Sequence, residues 1–343
     1  MPPSRARITP LPPQFPNDWA VAYGEDVHGL WQAFEVAGVR QVMRWIPPGR
    51  FTMGSPETEP GRWDDESEHP VHLTAGFWLA DAACTQALWA AVTGGANPSG
   101  FKDDPQNPVE QVSWADVVDE FLPRLNAQVP GLAAMLPTEA WWEYACRGDA
   151  DHRTPFWFGE QIASDQVNFD GTEPLPGGKK SKYRETTLPV KALPCNGWGL
   201  YQMHGNVWEW CSDWFAPYPE GEAADNPTGP SEAPTESASR VLRGGSWILK
   251  ARYCRSAERY AYDPGYRSRN IGFRLARGLP QASRAEPAGR GAPALPAEPA
   301  AVAGPGSGAP GPAAPAPQPG LWGRVKQALS SEPATPPGKK PKK

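Results

Sequence analysis

Turn chemistry interrupts this chain too often for any long regular element to form. NPSG at 97–100, NPVEQ at 107–111, NGWG at 196–199, NPTG at 226–229 and DPGY at 263–266 each carry the Asn, Asp, Pro and Gly signals of tight turns. Gly and Pro, 35 and 43 of 343 residues, make up roughly a quarter of the chain, about twice the average usage. Between the turns lie many of the 16 tryptophans, whose large apolar rings can hold short elements together by burial. The expected class is therefore α+β, with few helices, short strands and long loops packed around indoles.

The regular segments that survive can be placed. Thr85 is positioned to cap a helix over 86–92 that stops at Gly94 and Gly95. Ser113 can cap a second helix with Trp114, Val117, Val118, Phe121 and Leu125 on one face, which Pro123 should kink or shorten. Thr138 can cap a third that ends at Gly148. Short strands are expected at 42–46, 76–79, 240–244 and 272–275. Residues 14–45 read as an extension of the same domain, with Trp19, Trp31 and Phe34 packing onto it. After Ala276 the composition changes: 278–320 is almost entirely Pro, Ala, Gly and Ser, which cannot offset its own ordering entropy and is expected to be a disordered linker. Trp322, Val325 and Leu329 then fall at helical spacing before a basic end, GKKPKK; this is either a solvated tail or a segment that docks a partner. Residues 1–13 read as a flexible N-terminus.

The net charge of −5 gives no pull toward nucleic acid. No run reaches the ~20 apolar residues of a membrane span, and the start lacks a secretory pattern, so a cytoplasmic location is expected. Cys84, Cys146, Cys195, Cys211 and Cys254 are odd in number and widely spaced, as free thiols are; all but Cys254 read as structural. His69 and His72, at i and i+3 of a strand, would face opposite ways and do not suggest a metal pair. Neither a GxGxxG turn nor a P-loop is present.

Five ordered motifs carry a resemblance: 46–85, NPVEQVSWADV from Asn107, LPTEAWWEYACRG at 136–148, NGWGLYQMHGNVWEWCSDWF at 196–215, and RVLRGGSW at 240–247 ending in NIGFRLA at 270–276. In this order the chain resembles the formylglycine-generating enzyme, or sulfatase-modifying factor, family. That resemblance implies an irregular, C-type-lectin-like α+β domain over about 14–277. It also implies an activity: two cysteines after the GGS turn bind copper and oxidise a substrate cysteine to formylglycine, soft sulfur being suited to Cu(I). Aligned from Arg243, Gly244, Gly245 and Ser246, Cys254 takes the second cysteine position and Leu249 the first. With one thiol replaced by an aliphatic side chain, copper is not expected, and Cys254 is retained as a doubtful catalytic residue. The resemblance further implies structural Ca²⁺, with Asn206, the Val207 carbonyl and Asn168 at ligand positions, although Lys182 stands near the expected acidic partner of Asn168.

The segment 247–270 also resembles the variable region of retroelement-diversified lectin-like proteins, through GGSW, CRSA and IGFR. Those proteins present the residues between the fixed ones to a ligand. Here the corresponding set is Trp247, Ile248, Leu249, Lys250, Tyr253, Glu258, Tyr260, Tyr262, Tyr266, Ser268 and Asn270. Arg252, Arg255, Arg259, Arg267 and Arg269 interleave with the tyrosines, a composition enriched at recognition surfaces, and such a cationic setting would lower the Cys254 thiol pKa if the residue were exposed. Three functions are open at this point: a module binding a protein or peptide through 247–270, an oxygen-dependent oxidase of peptidyl cysteine, and a scaffold acting through the C-terminal tail.

Overall fold

The computed structural model describes residues 10–148, 153–219 and 224–278. The expected linker beyond Gly278, the Trp322–Leu329 segment and the basic end lie outside the described residues, as do the first nine.

Three sheets form the domain. The first is built from β1 (Ala22–Asp26), β2 (Gly29–Val36), β3 (Val39–Ile46), β6 (Phe77–Ala80) and β12 (Ala276–Arg277), in the order β1-β2-β3-β6-β12. The second comprises β7 (Trp208–Trp214), β9 (Arg240–Arg243), β10 (Arg259–Tyr262) and β11 (Ile271–Phe273), ordered β10-β9-β7-β11. A small third sheet joins β4 (Gly49–Met53), β5 (His69–Leu73) and β8 (Ala224–Asp225). The N-terminal extension is thus a β-hairpin: β1 and β2 pair in register from Ala22 opposite Ala33 to Asp26 opposite Gly29, and β2 joins it to the main sheet through β3.

The capped helices follow their sequence signals. Helix α1 (Gln86–Thr93) begins where the Thr85 Oγ1 accepts from the Leu88 N–H at 3.1 Å, and ends at Gly94 with φ +64°. Helix α3 (Glu139–Arg147) begins where the Thr138 Oγ1 accepts from the Trp141 N–H at 3.1 Å. Between them, the Ser113 Oγ accepts from the Asp116 N–H while the Asp116 carboxylate accepts from the Ser113 N–H, a reciprocal cap. The backbone then widens into a π-helical turn over Asp116–Phe121 before α2 (Leu122–Gln128). Pro123 sits in the first turn of α2, where its missing N–H costs nothing; the wider turn replaces the expected kink.

The core is aromatic, with Trp78, Trp142 and Trp210 among the largest fully buried side chains. It is also ionic. Arg243, Arg255, Arg259 and Arg274 are as buried as these indoles. Arg255 pairs with Glu59 at 2.7 Å, Glu66 at 2.6 Å and Glu258 at 2.9 Å. Arg243 pairs with Glu143, Arg259 with Glu139 at 2.7 Å, Arg274 with Glu209 at 2.9 Å, and Arg147 with Glu143 at 2.8 Å. Removing one partner of such a buried pair strands the others without solvent. Arg255→Met should therefore cost about 3–5 kcal/mol of unfolding free energy, read as a lower denaturant midpoint, because three carboxylates would be left facing one another.

Candidate functional site

The GGS turn after β9 positions the segment of interest. Gly244 and Gly245 have φ of +98° and +75°. A Cβ on Gly245 would stand 2.5 Å from the Tyr253 carbonyl and 2.7 Å from the Cys254 Sγ. Glycine is needed there because the 3₁₀ turn Ala251–Cys254 folds directly back onto it. Cys254 is fully buried. Burial pushes its thiol well above the usual cysteine range, and the Ser246 and Gly205 amides at the sulfur only partly oppose this. Exposure, the condition on which the neighbouring arginines would lower this pKa, is not met: the residue is buried, and burial outweighs the pull of Arg255. Leu249 is buried too, its backbone tied to Asp170 and Ser246.

Behind Cys254, the His204 Nδ1 donates to the Cys254 carbonyl at 2.7 Å and its Nε2 accepts from the Trp157 N–H at 3.2 Å. Burial lowers its pKa to about 3, so this imidazole is neutral and holds the loop rather than carrying charge. No local motif signals that role.

The residues expected to face a ligand divide in two. Trp247, Leu249, Tyr253, Glu258 and Tyr260 are buried, which corrects the expectation that they lie on the surface. The Glu258 carboxylate belongs to Arg255. Tyr260 stacks on Trp208, with ring centres 5.7 Å apart. The Trp247 Nε1 donates to the Arg269 carbonyl at 3.0 Å while its ring meets Phe101 edge-on and Tyr183 face-on. Ile248, Lys250, Tyr262, Tyr266, Ser268 and Asn270 are half-buried and reach solvent, with Asp263, Gly265, Arg267 and Arg269 exposed between them. Lys250 pairs with Glu173, Tyr262 stacks on Tyr266 at 4.1 Å, and the Arg267 Nε donates to Asp116 at 2.7 Å.

Beneath this surface lies a carboxyl that sequence reasoning missed. Glu110 is fully buried; its Oε1 accepts from the Gly100 and Phe101 N–H groups at 2.6 and 2.9 Å, and its Oε2 has no partner. Burial raises its pKa to about 7 against the pull of those two amides. It thereby props the loop that carries Phe101 against Trp247. Because the folded chain holds this proton up to about pH 7 and the unfolded chain releases it near the ordinary value of 4.5, the folded state binds more protons in between, and Glu110 lowers stability as pH rises through that window. Glu110→Gln should flatten the fall in melting temperature across it, measured by differential scanning fluorimetry.

Of the side chains implied as calcium ligands, Asn206 and Asn168 meet each other. The Asn206 Oδ1 accepts N–H groups from Asn168 at 3.1 Å and Leu188 at 2.9 Å, and the Asn206 carbonyl accepts from Trp247. These contacts form an amide bridge. The Asn168 Oδ1 is buried and unpartnered, but Lys182 stands in place of a carboxylate, and among the described residues no three His, Cys, Asp or Glu side chains are grouped to hold a metal ion. A hard cation needs several oxygen ligands, usually with carboxylates among them.

Elsewhere, cavities of about 520 and 360 Å³ share His69, Pro217, Tyr218 and Pro219. Neither includes the Ile248–Lys250 surface. Among the described residues no helix is long and apolar enough to cross a membrane.

Short strands in three sheets, capped single helices and a GGS turn over a half-retained thiol pair define a C-type-lectin-like α+β domain of the sulfatase-modifying class. Residues 32–279 match the Sulfatase-modifying factor enzyme 1-like domain, and the chain belongs to this family. A formylglycine-generating enzyme from Streptomyces coelicolor is 37% identical over 225 residues, covering 60% of this chain and 66% of that enzyme. PvdO from Pseudomonas aeruginosa superposes with a TM-score of 0.60 at 27% identity, over 72% of this chain and 98% of that one. Treponema denticola variable protein 1 does so with a TM-score of 0.59 at 26% identity, with the same coverage.

Proposed function

We propose that this chain is a recognition module of its family, binding a protein or peptide through the face formed by Ile248, Lys250, Tyr262, Tyr266, Ser268 and Asn270, and not a copper-dependent oxidase. The observation that carries this reading is the state of Cys254: its sulfur is sealed against the Ser246 and Gly205 amides with no exposure, and Leu249 stands where a second sulfur is required. A single sealed thiol offers neither the two soft ligands that Cu(I) favours nor access for a substrate cysteine. The outward face suits recognition, pairing half-buried tyrosines with cationic side chains at Arg267 and Arg269. Likeness to a variable protein of the same fold supports it further.

The second reading is oxidation of a peptidyl cysteine to formylglycine. It is favoured by the name and 37% identity of the Streptomyces coelicolor relative, of which this chain spans 66%. One experiment separates the two. The full chain, incubated with Cu(I), oxygen and a peptide containing CxPxR, should neither retain stoichiometric copper nor convert the peptide to the aldehyde by mass spectrometry; conversion would establish the oxidase. For the recognition face, peptides selected from a random library on the full chain should lose about tenfold in affinity with Tyr266→Ala or Lys250→Ala, as anchor residues do. Unchanged affinity in both variants would remove this face from the reading.

A further inference from the structure

Of the five cysteines, Cys84, Cys146, Cys211 and Cys254 are buried, and Cys195 is half-exposed. It opens the turn Cys195–Leu200, and Cys195 and Tyr201 face each other across an antiparallel bridge. The sequence suggested a structural role for this thiol, but its surroundings are those of a nucleophile. The His28 ring, on the turn between β1 and β2, brings its Nε2 to 3.7 Å from the Cys195 Sγ. Its other nitrogen, Nδ1, lies 3.2 Å from the Gly197 carbonyl. A carbonyl can only accept, so Nδ1 carries the proton and Nε2 presents a lone pair to the thiol.

Tyr201, opposite Cys195 across that bridge, is held above the usual tyrosine range by burial and by the neighbouring Cys195. The thiol thus has an acceptor for its proton in His28, with the Tyr201 phenol on the facing residue. His28 and Tyr201, like Cys195, are half-buried and open to solvent. Arg44 is nine-tenths buried, and its Nε has no hydrogen-bond partner. The guanidinium packs against Gly199 of the Cys195 turn, beside the His28 Cβ. The other charged groups here are already engaged: Asp26 with Arg44 at 2.8 Å, and Asp81 with Lys191 at 2.6 Å. Sealed against Gly199 and paired with Asp26, this guanidinium frames the corner.

We propose that Cys195 and His28 form a thiol-exchange site that takes a low-molecular-weight disulfide. The Cys195 S–H proton passes to the His28 Nε2, and the sulfur attacks one sulfur of the disulfide. The S–S bond breaks as the new one forms, and the departing thiolate takes the proton from His28. The products are a mixed disulfide on Cys195 and one free thiol, with no other oxidant consumed.

The test uses the full chain with oxidised glutathione as probe, the adduct being followed by intact mass and located by peptide mapping. One adduct should form quickly at neutral pH on Cys195 and be absent from Cys195→Ser. His28→Gln should slow it by about tenfold to a hundredfold, in the lower range of general-base contributions, with an unchanged circular dichroism spectrum. That loss should be larger at neutral than at alkaline pH, where hydroxide replaces the imidazole; a merely structural role for His28 would not produce this dependence. Tyr201→Phe, which leaves His28 in place, should also slow the reaction. Equal rates in His28→Gln and the unaltered chain, an adduct on another cysteine, or no adduct at neutral pH would each overturn the proposal.

Discussion

Buried guanidinium–carboxylate pairing is the constraint on which the rest of the domain depends. The strands are short, the helices isolated, and most of the chain between them is loop, so backbone ladders alone cannot fix one arrangement. Arg255 ties Glu59 and Glu66, from the loop between β4 and β5, to its own segment through Glu258. Arg274 reaches Glu209 on β7 as well as the Ala80 and Tyr201 carbonyls. Arg243 joins β9 to Glu143 of α3 and to the Glu258 carbonyl. Whether each pair adds net stability over an apolar filling is a separate matter, since desolvation offsets much of the attraction. What the pairs impose is registry: a loop displaced by one residue would leave a charge unpaired in the core.

This explains what the segment after the GGS turn presents to solvent. Arg255, Glu258 and Arg259 are drawn inward by their partners, and Tyr253 and Tyr260 are carried in beside them. From Tyr262 onward buried positions give way to half-buried and exposed ones until Ile271. The outward face is therefore narrower than the motif suggests and lies near its beginning and its end. A face built this way can change its outward residues without disturbing the buried ion pairs.

The legible parts of the fold were those with local causes. Thr85 and Thr138 announce their helices because a cap is a contact over three residues. The strands at β3, β6, β9 and β11 were visible as short apolar runs ending in turns. Strand β7 was not, because WEWCSDW lacks the alternation of a one-sided strand; five of its seven residues are buried, on both faces. The arginines misled for a statistical reason: arginine is seldom fully buried, and nothing in CRSAER reveals that carboxylates up to 196 positions away await Arg255. Leu249 at the first cysteine position was legible from the motif alone, yet the sealing of Cys254 is a property of the folded turn.

The thiols show why residue type and spacing under-determine chemistry. Cys254 sits in the motif that resembles a catalytic one, but it has no exposure and its proton is held tightly. Cys195 sits in no motif, and its imidazole lies 167 positions away, on a hairpin turn ahead of the helices. A thiol reacts when it can lose its proton and meet a partner, and both conditions are set by what the fold brings alongside. The hairpin that carries His28 belongs to the N-terminal extension, most of which precedes the region matching the family at 32–279. An element added to the edge of the main sheet thus supplies the base for a thiol within the family domain, so reactivity in this chain can move away from the ancestral turn without any change in the core that holds it.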